Sequence, residues 1–111
     1  MPHITVDYSA PLDRRGFALA LHPIVVETVD ARLEACVTSF REVEETVVGD
    51  GAGEAGLVHV DIALLAGRTP EAKARLSAAV LELLPGYVKD ASGVTLSAEV
   101  RDLDASYAKR R

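Results

Sequence analysis

The sequence predicts an α+β domain built from a duplicated βαβ unit, with four strands in one sheet and both helices on one face of it. Two segments rich in β-branched and apolar residues, at residues 3–8 and 57–65, are each followed by a helical apolar pattern and another strand. A glycine-rich turn at residues 49–53 separates the halves, which span about residues 2–48 and 57–104. With 111 residues, 49% of them hydrophobic, the chain has the size of a single domain, residues 1–111.

In the first half, Ile4, Thr5 and Val6 predict a strand over residues 3–8. A helix is predicted over residues 12–34, where apolar residues recur with helical spacing at Phe17, Leu21, Ile24, Val25, Val29 and Leu33. Pro23 is expected to kink or divide this helix, because proline lacks the amide hydrogen and crowds the preceding turn. The second strand is predicted at about residues 36–48.

In the second half, the strand at residues 57–65 leads into a helix whose start is marked in the sequence. Thr69 can cap it, Pro70 suits its first position, and the charge of Glu71 suits the positive end of the helix dipole. The buried stripe is predicted to contain Leu76, Ala79, Val80, Leu83 and Leu84. Pro85 and Gly86 end the helix, and a last strand follows at residues 94–103.

The two halves begin alike, since His-Ile-Thr-Val at residues 3–6 overlays His-Val-Asp-Ile at residues 59–62. Each crossover is long enough for a right-handed connection between parallel strands, which places both helices on one face. The opposite face is then expected to need cover from neighbouring subunits. A domain of this size also leaves much apolar surface exposed, so we expect an oligomer.

The formal net charge of −5 argues against binding to nucleic acid or to an anionic membrane surface, since such proteins concentrate Lys and Arg. The only cysteine, Cys36, allows no intrachain disulfide and no cysteine-based zinc site. No apolar run approaches the roughly 18 residues of a membrane span, and the amino terminus does not resemble a signal peptide. We therefore expect a cytoplasmic protein.

Pro2 is the most informative position for chemistry. A small second residue generally permits removal of the initiator Met, which would leave proline as a free secondary amine. An ordinary α-amino group has a pKa of about 7.7–8.0, and burial in an apolar pocket lowers it by disfavouring the charged form. A neutral amine at pH 7 can act as a general base. Taken alone, a Met-Pro start is also what chance would give.

The opening Pro-His-Ile-Thr-Val-Asp-Tyr-Ser, together with the segments at residues 58–60 and 66–69, resembles the 5-carboxymethyl-2-hydroxymuconate Δ-isomerase family of the tautomerase superfamily. The resemblance covers about residues 2–104 and includes Pro23 and the Leu-Ser-x-Glu strand at residues 96–99. It implies a homotrimer and Pro2 as the base, without a cofactor. It also implies small, anionic, unsaturated carboxylate substrates from the catabolism of aromatic compounds.

Arg68 matches the arginine that meets the substrate carboxylate in that family. It is predicted to lie where a strand ends and a helix begins, so its planar guanidinium can pair with a carboxylate beside helix amides that also favour anions. The alternative is a solvated side chain near a helix start. A cation there is mildly unfavourable, which favours a functional role.

Three further residues are candidates for substrate contacts. The family carries an Arg-x-Arg pair on the second strand, but this chain offers only Arg41, which could equally be a surface partner of Glu42 or Glu44. Phe40 could wall a pocket, although aromatic residues in strands are usually core or interface. Arg101 on the last strand is a possible substrate or subunit-interface contact.

No metal site is predicted, because no third ligand accompanies His3 and His59, which are better explained as partly buried, hydrogen-bonded side chains. The resulting interpretation is a cofactor-free isomerase in which Pro2 moves a proton within an unsaturated oxo or hydroxy carboxylate. Two alternatives stay open. One is a hydratase, dehalogenase or decarboxylase of the same superfamily, in which protonated Pro2 acts as an acid. The other is a trimeric binding protein without catalysis.

Overall fold

The computed structural model describes residues 2–53 and 55–110 and contains one four-stranded sheet with two α-helices. The strands are β1 (His3–Tyr8), β2 (Val37–Glu42), β3 (Gly56–Leu64) and β4 (Val94–Asp102), and the helices are α1 (Arg14–Val29) and α2 (Pro70–Leu83). Short 3₁₀ turns at Leu33–Ala35 and Leu84–Gly86 follow the two helices. Met1, Glu54 and Arg111 lie outside the described residues, and so does any question about the fate of Met1.

The sheet has the strand order β2-β1-β3-β4. β1 runs parallel to β2 and antiparallel to β3, and β3 runs parallel to β4. Each half of the chain is therefore a parallel βαβ unit, and the two units meet through the central antiparallel pair. The predicted α+β architecture of a duplicated unit is confirmed.

Both helices pack on one face of the sheet. Every second residue of a strand points to that face, and there the strands bury Ile4, Val6, Val58, Val60, Ile62 and Leu64. The helices meet them with the buried residues Phe17, Leu21, Val25, Val29, Ala72, Leu76 and Val80. These side chains form one hydrophobic core, so the predicted apolar stripes of the helices face the sheet, except at Leu33, which lies beyond α1 and is 55% exposed.

The helix starts follow from local capping. The Asp13 carboxylate accepts a hydrogen bond of 3.1 Å from the Gly16 amide at the start of α1. The Thr69 hydroxyl accepts one of 3.1 Å from the Ala72 amide, with Pro70 as the first residue of α2, as the sequence predicts.

Two predicted boundaries are wrong. Pro23 does not divide the first helix: α1 continues from Arg14 to Val29 with Pro23 inside and exposed, so water can reach the carbonyl that loses its amide partner. The second strand ends at Glu42 rather than at about residue 48, because Glu42 pairs with Tyr8, the last residue of β1. Beyond it, no described strand lies beside residues 43–48.

The sheet face away from the helices, called the open face below, is polar. On it Arg41 pairs with Asp7 at 2.7 Å, and Arg101 pairs with Asp61 at 2.9 Å. His59 makes a 2.7 Å hydrogen bond to the Ser97 hydroxyl. These charged and hydrogen-bonding side chains are stable in water, and the expectation that neighbouring subunits cover this face stays a prediction. Val37, which pairs with His3, is an exposed apolar residue on the open face. The other exposed large apolar side chains are Leu19, Leu33, Val47, Val48, Leu65 and Leu81.

None of the described helices has both the length and the apolar character that crossing a membrane requires.

Candidate active site

The sheet has two chemically different ends. At one end β1 and β2 begin while β3 and β4 finish; it carries Pro2, Leu65 and Arg68 and is called the Pro2 end. The other end carries Tyr8 and Phe40 and is called the Phe40 end. Pro2 and Phe40 are separated by about four residues along the strands, or roughly 13 Å at 3.3 Å per residue.

Pro2 is buried directly before β1. Its carbonyl accepts a 3.2 Å hydrogen bond from the Val37 amide, which fixes the backbone of Pro2 against the start of β2. Continuing the strand register by one residue places Pro2 between Cys36 and Leu64, which are 9% and 0% exposed. Burial also raises the pKa of the Cys36 thiol, as expected where a charged form is poorly solvated.

Arg68 lies at the Pro2 end, and its guanidinium is turned toward backbone carbonyls. Its Nε donates to the Val29 carbonyl at 2.8 Å, and its two terminal nitrogens donate to Leu65 at 3.2 Å and to Asp30 at 3.3 Å. Val29 and Asp30 end α1, which has no basic residue in its own last turn. Arg68 therefore supplies the cation that the negative end of this helix dipole favours.

The same contacts limit what Arg68 can offer a ligand. A guanidinium has five N–H donors, and three of them are given to carbonyls, so two are left for a carboxylate. This structural role could not be predicted from the sequence, because the helix end that Arg68 completes lies 38 and 39 residues away in the chain.

Arg101 is also near the Pro2 end, but on the open face. It is in register with Ala63, which is in register with His3. Its guanidinium is held by both oxygens of Asp61, and this contact raises the pKa of Arg101. Arg101 is thus engaged in an exposed ion pair within its own chain.

Phe40 and Arg41 lie at the Phe40 end, away from Pro2. Arg41 is paired with Asp7 on the open face, instead of with the predicted Glu42 or Glu44, and this contact raises its pKa. Phe40 faces the helix side and makes an edge contact with the Tyr8 ring, with centroids 6.4 Å apart. One chain therefore does not bring Arg41 and Phe40 together with Pro2.

Phe40 lines a cavity of about 590 Å³ between α1 and β2. Its polar wall includes Arg14, Arg15 and His22, and Pro2 is not among its lining residues. His22 makes a 2.7 Å hydrogen bond to the Thr38 hydroxyl, and burial lowers its pKa. The apolar residues of this wall could not be identified as cavity residues from the sequence, because they show only the periodicity of a helix and a strand.

His3 and Tyr107 form a contact beside Pro2. His3 Nε2 lies 2.8 Å from the Tyr107 hydroxyl, and the two rings meet edge to face with centroids 5.5 Å apart. The two histidines that were considered as metal ligands are half-buried and hydrogen-bonded, His3 to Tyr107 and His59 to Ser97. Tyr107 is distinguished in the sequence only as an aromatic residue within a short polar tail.

Comparison with solved structures places this fold beside several known enzymes. A 5-carboxymethyl-2-hydroxymuconate isomerase from Deinococcus radiodurans R1 has a TM-score of 0.80 and 20% identity, with 99% of this chain and 90% of that chain covered. A protein described as a Q0 fused 4-OT wild-type symmetric trimer has a TM-score of 0.72 and 25% identity, covering 91% and 85%. The FG41 malonate semialdehyde decarboxylase has a TM-score of 0.64 and 21% identity, covering 96% and 90%.

A comparison with protein families found no match, and neither did a comparison with the sequences of curated proteins. The likeness is thus one of fold, carried over nearly the whole chain at low sequence identity. The chain has the fold of the tautomerase superfamily, as found in 5-carboxymethyl-2-hydroxymuconate isomerase.

Proposed function

We propose that the chain is a cofactor-free isomerase of the tautomerase kind, similar to 5-carboxymethyl-2-hydroxymuconate Δ-isomerase, with Pro2 as its general base. The observation that carries the proposal is the position of Pro2: buried, next to Cys36 and Leu64, at the start of the central strand of this fold. Apolar neighbours favour the neutral amine. A neutral amine has the lone pair that a base needs at pH 7.

In the proposed reaction, the Pro2 nitrogen takes a proton from a carbon or an enol oxygen conjugated to a carbonyl. The bonding electrons move into the conjugated system and give a dienolate. The protonated amine then returns the proton to another atom of that system, so the step needs no oxidant or co-reactant. The two unused N–H donors of Arg68 hold a carboxylate of the substrate and stabilise the developing charge.

The experiment that tests Pro2 compares processed protein, verified by intact mass, with protein that keeps an uncleaved amino-terminal tag. The tag turns the Pro2 nitrogen into an amide, which cannot accept the proton. Activity on 2-hydroxymuconate and phenylpyruvate should fall about 10²–10⁴-fold, the usual contribution of a positioned base, while folding and assembly stay nearly normal. Equal turnover by the two forms would show that Pro2 is not the base. Pro2→Ala is a weaker test, because it leaves a primary amine in nearly the same place.

A decarboxylase of the same fold keeps a second chemistry open, in which Pro2 stays protonated and acts as an acid. The two chemistries differ in whether the Pro2 pKa lies below or above 7. An NMR titration that finds the Pro2 amine neutral at pH 7 supports the base, and one that finds it protonated supports the acid. If the protein assembles normally but turns over neither isomerase nor decarboxylase substrates, it is a binding protein without catalysis.

We also propose that the chain assembles as a homotrimer and acts in the cytoplasm on an intermediate of aromatic catabolism. Val37 on the edge strand β2 and Leu65 after β3 are 45% and 46% exposed, and burying such side chains between copies is favourable. A solved structure of the same fold is a symmetric trimer. Sedimentation should give three times the chain mass at micromolar concentration, and a stable monomer would contradict the proposal.

A further inference from the structure

The cavity of about 590 Å³ at the Phe40 end lies between α1 and the edge strand β2 and is called the α1–β2 groove. Its helix wall consists of residues with the i, i+3, i+4 and i+7 spacing of one helix face, namely Arg15, Ala18, Leu19 and His22. Thr38 and Phe40, which point to the same side of β2, form the strand wall. Pockets that hold small ligands commonly have volumes of about 300–1,000 Å³, so the groove has the size of a ligand site.

The α1–β2 groove offers apolar surface to a ligand. Leu12, Leu19 and Phe40 line it, and Leu19 is 59% exposed. The Phe40 ring is half-buried and meets the Tyr8 ring edge to face, with centroids 6.4 Å apart, which holds the ring in place. A flat apolar group in the groove would remove these side chains from water, and burial of apolar surface favours binding.

The groove also carries arginine donors that the chain leaves unused. Its charged wall consists of one carboxylate and two guanidinium groups, Asp13, Arg14 and Arg15, in a chain whose formal charge is −5. The Asp13 carboxylate caps α1 by accepting from the Gly16 amide at 3.1 Å, and one Arg14 nitrogen donates to the Tyr8 hydroxyl at 3.3 Å. Arg15 is exposed and makes no hydrogen bond or ion pair with the described residues. Arg15 therefore keeps five N–H donors and Arg14 keeps four.

The charge balance of the groove favours a ligand with a single carboxylate. The planar fork of a guanidinium group can pair with both oxygens of a carboxylate. His22 adds no charge near neutral pH, because burial lowers its pKa and its ring is hydrogen-bonded to the Thr38 hydroxyl at 2.7 Å. A dianion such as phosphate would meet the Asp13 carboxylate with twice the repulsion of a monoanion.

We propose that the α1–β2 groove binds a small aromatic carboxylate, whose charged group pairs with Arg15 and Arg14 and whose ring packs between Leu19 and Phe40. This site is separate from the candidate base, since Pro2 and Phe40 are roughly 13 Å apart along the strands of one chain. It is a second ligand site that does not depend on the proposed isomerase reaction.

The test measures binding of 2-naphthoate and of its neutral analogue 2-naphthamide to ¹⁵N-labelled full-length protein by NMR at neutral pH. The amides of Leu19 and Thr38 report on the groove, and those of His3 and Val37 report on the Pro2 end. The carboxylate should shift the groove amides, and the amide analogue should bind about tenfold more weakly, since it lacks the charge that strengthens a hydrogen bond. Shifts confined to His3 and Val37 would overturn the proposal.

Arg15→Gln tests the charged contact, and Arg75→Gln is its matched control. Arg75 is an exposed arginine on α2, has no partner among the described residues and lies outside the groove wall. Arg15→Gln should weaken 2-naphthoate binding about tenfold and change 2-naphthamide binding less than about twofold, whereas Arg75→Gln should leave both nearly unchanged. Equal losses in the two variants would show an effect of net charge alone and would overturn the assignment of Arg15.

Leu19→Gln tests the apolar wall, and Leu81→Gln makes the same change at an exposed leucine of α2 outside the groove. Leu19→Gln should weaken 2-naphthoate and 2-naphthamide alike by about fourfold, the contribution of one buried methylene group. Leu81→Gln should bind both as the wild type does. Wild-type affinities in Leu19→Gln would contradict the packing of the ring against α1.

A second copy of the chain is the alternative occupant of the α1–β2 groove. In that case the amides of Leu19 and Thr38 would shift when the protein is diluted and would not respond to 2-naphthoate, which would overturn the proposal. Protein with an uncleaved amino-terminal tag, in which Pro2 cannot act as a base, should bind 2-naphthoate as the processed protein does. Failure of the isomerase reaction and failure of the groove site are therefore distinguishable.

Discussion

The Pro2 end and the Phe40 end of the sheet differ in their polar contacts and in the space beside them. At the Pro2 end the polar groups are engaged: Arg68 binds the carbonyls that end α1, and Tyr107 binds His3. At the Phe40 end a cavity of about 590 Å³ is open, with Arg15 making no hydrogen bond or ion pair with the described residues. The candidate base and this cavity of one chain are thus at different ends.

This difference shows that a large cavity and a candidate catalytic group are separate observations. A groove beside an edge strand forms wherever two neighbouring elements of the fold diverge. A base with a lowered pKa needs apolar surroundings. Pro2 has such surroundings in Cys36 and Leu64, while the cavity is walled partly by charged side chains. The proposed chemistry belongs to the Pro2 end, and the Phe40 end is expected to tolerate substitution without loss of catalysis.

The largest effect that separates the two ends is expected for Arg68→Ala. Loss of its contact to the developing anion should cost about 2–4 kcal/mol of transition-state stabilisation. The three lost carbonyl contacts should also lower the free energy of unfolding by about 1–3 kcal/mol, so the sequence-based expectation of nearly unchanged folding is revised. Steady-state kinetics and chemical denaturation measure the two effects.

Arg68→Lys is the matched variant, because it keeps a cation at the end of α1 and removes the planar fork. It should recover much of the stability and little of the activity. If Arg68→Lys recovers both together, Arg68 acts by holding α1 and not by binding substrate.

A smaller, pH-dependent effect is expected at the Phe40 end. Burial lowers the pKa of His22 below its ordinary value of 6.5, so the folded chain binds this proton less readily than the unfolded chain. The contribution of neutral His22 to stability is therefore fully present above about pH 6.5 and is lost as the pH falls through the lowered folded-state value.

The melting temperature of the wild type and of His22→Gln, followed by circular dichroism from pH 8 to pH 5, checks this sign. The wild type should lose its advantage over the variant as the pH falls. Thr38→Val removes the 2.7 Å hydrogen bond without removing the titrating group, so it should keep the wild-type dependence on pH. An advantage that grows toward pH 5 would contradict the assignment.

The smallest effect is expected for Arg41→Gln, which breaks an exposed ion pair with Asp7 at the Phe40 end. Exposed pairs contribute little and are screened by salt, so stability should change slightly at low salt and not at all at high salt. Activity should stay within about twofold if the pair is only a surface contact. A loss of about tenfold or more, typical of a charged hydrogen bond to a ligand, would show that assembly brings Arg41 into the site.

Several features of the fold could be predicted because their causes are local. The start of α2 follows from the cap at Thr69 and the fixed backbone of Pro70. Strand β1 follows from its β-branched residues, and the order of elements follows from the repeat of strand, helix and strand. The boundary at Glu42 could not be predicted, since it depends on where the neighbouring strand β1 ends.

The candidate site, like the fold, has some features that the sequence predicts and others that depend on folding. The residue types and their order identified the candidates for the chemistry: a proline at the second position, an arginine after a strand, and a duplicated βαβ pattern that places them in one sheet. The partners of those residues were set by folding. Arg68 meets the end of α1, Arg41 and Arg101 meet carboxylates of neighbouring strands, and Tyr107 reaches His3. Charge and hydrogen bonding act over a few ångströms in space, so distant parts of the chain become partners only after folding.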